Sequence, residues 1–227
     1  LNCSGHKEIK TVSFSKSEQV FVPTLTIQIA LGDFDKDGDL DAIYANHSNN
    51  YSKILLNDGK GYFTDSGQKL TQNGHGVGVG DLDSDNDLDI FITCAGARDK
   101  NGISQNKPSK IYFNNGKGYF EDSDQDLGDT KLSGNGINLI DIDNDGDLDT
   151  HIFYYKVTAN PFYHHIYINN GEGIFSKSNI NLPEGTKLFW GDVNNDNNLD
   201  IFAIVWDEGL EILLNDGNLQ FTKYWQY

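Results

Sequence analysis

Four nine-residue stretches rich in aspartate place oxygen-bearing side chains at regular intervals. They occupy positions 33–41, 81–89, 141–149 and 192–200 and read DFDKDGDLD, DLDSDNDLD, DIDNDGDLD and DVNNDNNLD. Oxygen ligands at alternate positions of a tight loop are what a hard cation such as calcium needs. Positions 1, 3, 5 and 9 of each stretch offer side-chain oxygens, and position 7 is placed to offer a backbone carbonyl. We refer to these stretches as the first to fourth acidic loops.

The residues between the acidic positions distinguish these loops from ordinary solvated turns. Positions 2 and 8 are apolar in every copy, with Leu at all four position 8s, so each loop has two anchors for a core. Position 6 is Gly or Asn, which tolerate the left-handed backbone of a sharp turn. An EF-hand would need a bidentate Glu at position 12 and flanking helices. Position 12 is Tyr, Ile, Ile and Ala, and strand-like sequence follows, so the EF-hand is rejected.

The charge of the chain is concentrated in these loops. The 227 residues carry a formal net charge of −17, and the four loops hold eighteen of the 34 acidic residues. The remainder is close to neutral, so the acidity belongs to metal sites, and it disfavours nucleic acid as a partner. Grouped carboxylates repel one another without a cation, so we expect folding to be coupled to metal binding.

The segments around each loop predict one repeated unit made of four strands. A strand leads into each loop and a second leaves it, at 26–32 and 42–45, 77–80 and 90–94, 137–140 and 150–155, and 188–191 and 201–206. A third strand ends in Asn-Asp-Gly or Asn-Asn-Gly, which are hairpin signals, and a fourth strand follows around Phe63, Phe120, Phe175 and Phe221. The second strands are apolar on consecutive residues, as in strands buried on both faces.

Four small sheets in series, each too thin to bury its own faces, predict an all-β fold: a β-propeller of four four-stranded blades. We expect one domain over 1–227, with a lead-in and extra strand at 1–25. The repeats are placed at about 26–71, 72–128, 129–183 and 184–227. No apolar run approaches the roughly twenty residues of a membrane span.

The loop motif with Leu at position 8, together with the Asn-Asp/Asn-Gly-x-Gly-x-Phe turn, resembles the FG-GAP/VCBS repeat family, which includes the calcium-binding β-propellers of integrin α-subunits. The resemblance covers about residues 26–227. It implies that each loop joins the first two strands of a blade and holds calcium, up to four ions in all. The implied ligands are Asp33, Asp35, Asp37, Asp39, Asp41, Asp81, Asp83, Asp85, Asp87, Asp89, Asp141, Asp143, Asp145, Asp147, Asp149, Asp192, Asn194, Asp196, Asn198 and Asp200.

The chain departs from that family's pattern in two ways. The fourth loop has Asn194 and Asn198 in place of aspartates, and the loss of a carboxylate should make it the weakest site. Integrin-type propellers have seven blades, whereas four full repeats are present here. The segment 14–19 resembles a stray fourth strand. It could close a four-bladed ring against the last blade, which is the arrangement we favour, or be the remnant of a longer array or a strand for a partner chain.

The face opposite the acidic loops is the expected binding surface, because its connections vary in length and rigid scaffolds display function on loops. Aromatic rings beside amides suit sugars, and a planar guanidinium suits a carboxylate or sulfate. The alternative is that these aromatic residues only pack and that Arg98 only pairs with Asp99. The candidate ligand-binding residues are His47, Tyr51, Arg98, Asn101, Tyr155, Tyr163, His164 and Trp206.

The expected function is a calcium-stabilised recognition module, with a glycan or protein ligand, no membrane insertion, and oligomerisation left open. A lectin-like carbohydrate-binding role leads, and an integrin-like adhesion module is the alternative. No nucleophile elbow, zinc motif or phosphate loop is present, so we predict no catalytic residues. A polysaccharide lyase or hydrolase that uses Arg98, Tyr163 and His164 is the remaining enzymatic reading. The tandem His164 and His165 should point to opposite faces of a strand.

Abundant extracellular calcium favours an exported protein, either secreted or on the cell surface or in the periplasm. Cys3 and Cys94 either form a disulfide or leave a buried thiol at Cys94. Three sequences match the glycosylation acceptor pattern, at Asn2, Asn46 and Asn50, which matters only for a secretory eukaryote.

Overall fold

The structure is a computed structural model of the chain. The structure describes residues 15–21, 25–47, 50–95, 97–98, 104–105, 107–128, 132–155, 162–183, 186–205 and 208–226. Within these ranges every regular element is a β-strand. The fold is all-β, as the repeats predict.

Eighteen strands follow one another in the described part of the chain. The first sheet contains β1 (Thr26–Gly32), β2 (Asp41–Asn46), β3 (Lys53–Asn57) and β4 (Phe63–Asp65). Next come β5 (Gly74–Gly80), β6 (Asp89–Cys94), β7 (Ala97–Arg98), β8 (Ser104–Gln105), β9 (Lys110–Asn114) and β10 (Phe120–Asp122). The third sheet contains β11 (Ser133–Ile140), β12 (Asp149–Tyr155), β13 (Phe162–Asn169) and β14 (Phe175–Lys177). The fourth contains β15 (Thr186–Gly191), β16 (Asp200–Val205), β17 (Gly209–Asn215) and β18 (Phe221–Gln226).

Each unit is a four-stranded antiparallel meander whose strands pair in chain order. In the second unit, β7 and β8 form a separate two-stranded hairpin between the second and third strands of the sheet. The second strands are the most buried, because they lie inside their own sheet and between neighbouring sheets. All six residues of β6 are buried, which confirms the expectation for consecutive apolar positions.

The first three sheets pack face to face through separate apolar cores. The first and second sheets share a core that includes Phe34, Ile43, Ile90 and Phe120. The second and third sheets share another, which includes Phe91 and Ile152. The anchors at position 2 of the first three acidic loops are fully buried, so the loops are fixed to the sheets by these side chains. This is the arrangement of consecutive propeller blades.

The segment before β1 lies against the first sheet, and the closure of a four-bladed ring by this segment stays a prediction. The Gln19 amide donates to the backbone carbonyl of Phe63 and accepts from its N–H. Gln68 and Gln125 accept the equivalent N–H, from Phe120 and Phe175, in the sheet that follows each of them. Their amides donate two residues earlier, to the carbonyls of Gly118 and Gly173. Residue 19 therefore sits on the first sheet as the tail of a preceding blade would.

Candidate metal centres and ligand-binding cavity

The acidic loops share one backbone conformation that turns their carboxylates inward. Position 6 has positive φ in all four loops, as expected from Gly and Asn. Position 4 also has positive φ, between 61° and 63°, although its residues are Lys36, Ser84, Asn144 and Asn195. A Lys in this region is uncommon. The position 6 N–H donates to the position 1 carboxylate at 3.0–3.1 Å in every loop.

The aspartate at position 9 ties each loop to its own sheet. In the first loop, one oxygen of Asp41 accepts the N–H of Phe34 at 2.9 Å, and the other accepts the N–H of Asn57 at 2.8 Å. The equivalent bonds recur at Asp89, Asp149 and Asp200, and all four carboxylates are buried. Burial raises the pKa of Asp89 to about 7 and that of Asp149 to about 6, against the lowering effect of these bonds. The aspartate at position 9 thus holds the start of its loop to the end of the third strand, besides being a predicted ligand. We call this pair of hydrogen bonds the bracket.

Three of the loops gather carboxylates closely enough to hold a metal ion. The groups have ligand atoms within 4.8 Å of one another: Asp33, Asp35 and Asp37; Asp81, Asp83 and Asp85; Asp141, Asp143 and Asp149. One buried oxygen each of Asp33, Asp83, Asp141 and Asp143 makes no hydrogen bond within the described part of the chain. Buried oxygens of this kind are costly unless a cation or donor satisfies them. The residues present therefore fit a hard divalent cation.

The carboxylates at position 3 of the first three loops are harder to ionise than an ordinary aspartate. Burial, followed by repulsion from the carboxylate at position 5, raises the pKa of Asp35, Asp83 and Asp143 above the ordinary value. A bound cation would reverse this effect, because it favours the ionised form.

The fourth loop satisfies itself by hydrogen bonding instead. The Asn194 amide donates to the carboxylate of Asp196 at 2.9 Å, and its carbonyl oxygen accepts the Asp196 N–H at 3.0 Å. No metal-sized group of carboxylates is found in this loop among the described residues. The sequence prediction that this site is the weakest fits that geometry and stays a prediction.

Position 7 faces the hairpin that follows the third strand. A Cβ at Gly59, Gly116 or Gly171 would collide with the carboxylate of Asp39, Asp87 or Asp147, respectively. These glycines have φ of 70–78°, so the hairpin needs glycine for both space and backbone. The side chain at position 7 therefore packs against the glycine of the hairpin. This fits the expectation that position 7 would offer its backbone carbonyl, rather than its side chain, to a cation.

The predicted ligand-binding residues are dispersed. The side chains of Arg98, Asn101 and Trp206 lie outside the described residues. His47 stacks on His75 with ring centroids 4.7 Å apart, and Tyr51 lies under the ammonium group of Lys69. Tyr163 packs beside the core between the second and third sheets, and Tyr155 contacts Phe162. Of the described members, His164 alone lines the cavity described next.

A cavity of about 420 Å³ lies between the third and fourth sheets. Its lining combines aromatic and apolar residues with polar groups, and its residues are Asn135, Asn138, His151, Phe153, Phe162, His164, Lys187, Leu188 and Phe189. Spacing within one repeat could not reveal this site, because β12, β13 and β15 build it from two units. The side chains of the adjacent His164 and His165 have different neighbours, since His164 contacts His151 whereas His165 contacts Tyr154.

A buried histidine forms the floor of this cavity. Trp190 donates its indole N–H to His151 Nδ1 at 3.1 Å, and His151 Nε2 lies 2.9 Å from His164 Nδ1. Because an indole can only donate, His151 accepts at Nδ1 and donates from Nε2 to His164. Burial, reinforced by His164, lowers the pKa of His151 to about 3, so this ring stays neutral near pH 7.

The fold and the loops define a class: an array of propeller-type blades with an acidic, cation-sized loop in each of the first three. Residues 13–92, which include the first two acidic loops, match the model of the FG-GAP-like repeat. That segment is an FG-GAP-like repeat, which confirms the resemblance seen in the motifs and indicates an integrin-like, propeller-type interaction module. No curated protein matches the chain.

FG-GAP repeats are typical of extracellular proteins. A helix long and apolar enough to cross a membrane is not found in the described residues. Cys94 is a free, buried thiol, and burial raises its pKa to about 11, whereas Cys3 lies outside the described residues.

Proposed function

We propose that this chain is a calcium-stabilised, exported recognition module that binds a carbohydrate in the cavity between the third and fourth sheets. The observation that carries the proposal is the lining of that cavity. Phe153 and Phe162 offer apolar ring faces, and Asn135 and Asn138 offer amide donors and acceptors. Sugar rings present the matching combination of an apolar face and a rim of hydroxyls.

The cavity also favours an acidic sugar over a neutral one. Lys187 lines it, and Asp and Glu are absent from its described lining. An ammonium group is a point-charge partner for a carboxylate or sulfate. We therefore expect uronic acids or sulfated sugars to bind more tightly than neutral oligosaccharides of the same length.

The neutral His151 supports binding without chemistry. A general acid or base works best when its pKa lies near the working pH. The pKa of His151 is about 3, and the Nδ1 atom is engaged by Trp190. His151 therefore serves to orient His164 and the fourth sheet rather than to transfer a proton to a ligand.

Calcium has a supporting role in this proposal. The orphaned carboxylate oxygens and the raised pKa values of Asp35, Asp83 and Asp143 fit a cation bound at each of the first three loops. The loops lie at the strand ends that connect β1 to β2, β5 to β6 and β11 to β12. Neutralising them would rigidify the sheets that carry the cavity, without contact between metal and sugar.

Isothermal titration calorimetry with acidic and neutral oligosaccharides, in buffer that contains calcium, tests the proposal. Lys187→Ala should weaken binding of the acidic sugar about tenfold, or about 1.4 kcal/mol, and Phe162→Ala should weaken all sugars. Lys177→Ala is the matched control, because Lys177 lies beside His165 on the other side of the third sheet and should leave affinity unchanged. Absence of binding across a broad glycan panel would overturn the carbohydrate assignment, and release of unsaturated or reducing ends would overturn the non-catalytic part.

A protein ligand is the second candidate, and the FG-GAP-like match favours it. In that case the chain would act as an adhesion-type interaction module. Pull-down from matrix or host extracts, with Lys187→Ala and calcium-free protein as parallel baits, separates the two. A partner captured by wild type and lost on chelation, with no glycan binding, would favour this candidate.

A further inference from the structure

The two ends of the four-sheet array expose the kind of apolar face that is buried inside it. We call the side of a sheet that contacts the preceding sheet its leading face and the opposite side its trailing face. On the leading face of the first sheet, Ile29 is 59 % exposed and Leu40 is 56 % exposed. The equivalent Val77 and Leu88 of the second sheet pack into the core that it shares with the first. The first sheet thus carries an unpartnered blade interface.

The trailing face of the fourth sheet is unpartnered in the same way. Phe189 is 56 % exposed and Ile204 is 46 % exposed. Val193, at position 2 of the fourth loop, is 38 % exposed, whereas the equivalent Phe34 is fully buried against the second sheet. Exposed apolar faces of this kind on a soluble domain mark sites of association.

The shapes of the two end faces are complementary. At the first junction the leucine at position 8 of one sheet covers a glycine of the preceding sheet, since a Cβ on Gly32 would lie 2.9 Å from Leu88. Leu148 covers Gly80 in the same way at the second junction. At the leading end, Leu40 has no glycine of a preceding sheet to cover. At the trailing end, Gly191 is not covered by a leucine, because a Cβ there would meet nothing within 4 Å.

The polar contacts at the junctions leave matching halves at the two ends. At every internal junction, position 4 of one loop contacts position 7 of the next. The pairs are Lys36 with Asp87, Ser84 with Asp147, and Asn144 with Asn198. Two members of such pairs are left at the ends of the array. Asn195, at position 4 of the fourth loop, offers a donor on the trailing face, and Asp39, at position 7 of the first loop, offers an acceptor on the leading face.

The hairpin asparagines repeat this pattern at the first two junctions, whereas at the third Asn215 donates to Leu199 of its own sheet. Asn114 donates to the carbonyl of Phe34 at 2.8 Å, and Asn169 donates to that of Leu82 at 2.8 Å, so each crosses a junction to position 2 of the preceding loop. Asn57 is the equivalent residue of the first sheet. Among the described residues its amide donates only to Leu40, within its own sheet. Val193 is position 2 of the fourth loop, so its backbone carbonyl is equivalent to those of Phe34 and Leu82 and lies at the trailing end of the array.

We propose that two copies of this chain associate head to tail, with the leading face of one first sheet packed on the trailing face of the other fourth sheet. Both faces are exposed in the described structure, and the trailing face carries the complement of the groups left on the leading face. Residues 15–19 do not obstruct the contact, because Gln19 already fills the place that Gln68 and Gln125 take at internal junctions. A contact between different surfaces closes when the rotation allows, and two such junctions would give a ring of eight sheets.

Light scattering coupled to size exclusion, in buffer that contains calcium, tests the association. Wild type should elute as a dimer, whereas Ile29→Asp and Gly191→Leu should each elute as monomers. Both changes fall on exposed or empty positions, so the monomers should fold, and circular dichroism checks this. Tyr62→Asp is the control, because its equivalents Tyr119 and Ile174 stay more than half exposed at internal junctions.

Mixing the two variants separates head-to-tail contact from other dimers. The Ile29→Asp chain keeps an intact trailing face and the Gly191→Leu chain an intact leading face, so a 1:1 mixture should recover a dimer through one junction. A symmetric contact between like faces would not be restored by mixing. A monomeric wild type, whether open or closed on itself, would overturn the proposal, as would variants that remain dimeric.

Discussion

The carboxylate of Asp41 accepts a hydrogen bond from the backbone N–H of Asn57 at 2.8 Å and so joins the first acidic loop to the end of β3. Its other oxygen holds the N–H of Phe34 at the start of the loop. One buried side chain therefore fixes the entry of the loop and its distance from the hairpin. Because the same pair of hydrogen bonds recurs in all four sheets, the fold itself holds the loops in the conformation in which three of them could bind a cation.

Asp89→Asn should destabilise the protein by about 2 kcal/mol, because a hydrogen bond to a charged acceptor contributes about 1.5–3 kcal/mol and an amide offers a single acceptor oxygen. The N–H groups of Leu82 and Asn114 would compete for it. Urea unfolding at pH 8 with excess chelator is the measurement, since Asp89 is ionised above its pKa of about 7. Glu172→Gln, on an exposed hairpin, is the control. An unchanged midpoint without metal would mean that Asp89 matters only as a metal ligand.

Asn194→Asp should create a stronger fourth metal site. The change removes the amide that donates to Asp196 and restores the carboxylate present in the other three loops. Calcium titration followed by native mass spectrometry should show three tightly bound ions in wild type and four in the variant. The variant should also be less stable than wild type in chelator, because the added charge repels Asp192 and Asp196. Four equally tight ions in wild type would contradict the ranking of the sites.

Much of the fold was readable because its signals are local. The apolar second strands, the Asn-Gly hairpins and the fixed Leu at position 8 lie within one repeat, and β1 begins and ends where the sequence predicts. The bracket at position 9 was not predicted, because it needs backbone donors from two distant segments. The cavity was missed for a similar reason: His151 takes the place of Ile43 and Phe91, but its meaning depends on Trp190 in the next sheet.

Gly59→Ala should lower both stability and the calcium affinity of the first loop. The new methyl group would displace the Asp39 carboxylate, and a φ of 70° is costly for alanine, by about 1–2 kcal/mol. Gly61→Ala separates the two effects, because Gly61 has a φ of 82° in the same hairpin but open space around it. That variant should lose stability and keep its calcium affinity, measured by thermal unfolding and calcium titration. Equal calcium affinities in the two variants would exclude a link between hairpin and loop.

His151 should make stability fall with acidification. The folded protein keeps this ring neutral down to a pKa of about 3, whereas in the unfolded chain it takes up a proton near pH 6.5. The unfolded state therefore binds more protons between these values, so its contribution to stability is complete above pH 6.5. As the pH falls below that value, the contribution declines by about 1.4 kcal/mol per pH unit.

His151→Phe tests this origin, since Phe91 fills the equivalent position of the second sheet. The variant deprives the Trp190 indole of its acceptor, so it should be less stable at every pH, and the slope is the informative quantity. In metal-free protein, the raised pKa values of Asp89 and Asp149 make stability increase on acidification, which is the opposite effect. Wild type and variant share these two residues, so their effect cancels when the two stability curves are subtracted. Urea unfolding from pH 7 to pH 4 should show a smaller loss for the variant, whereas His165→Gln, on the other side of β13, should keep the wild-type slope. Parallel curves for wild type and His151→Phe would place the acid sensitivity elsewhere.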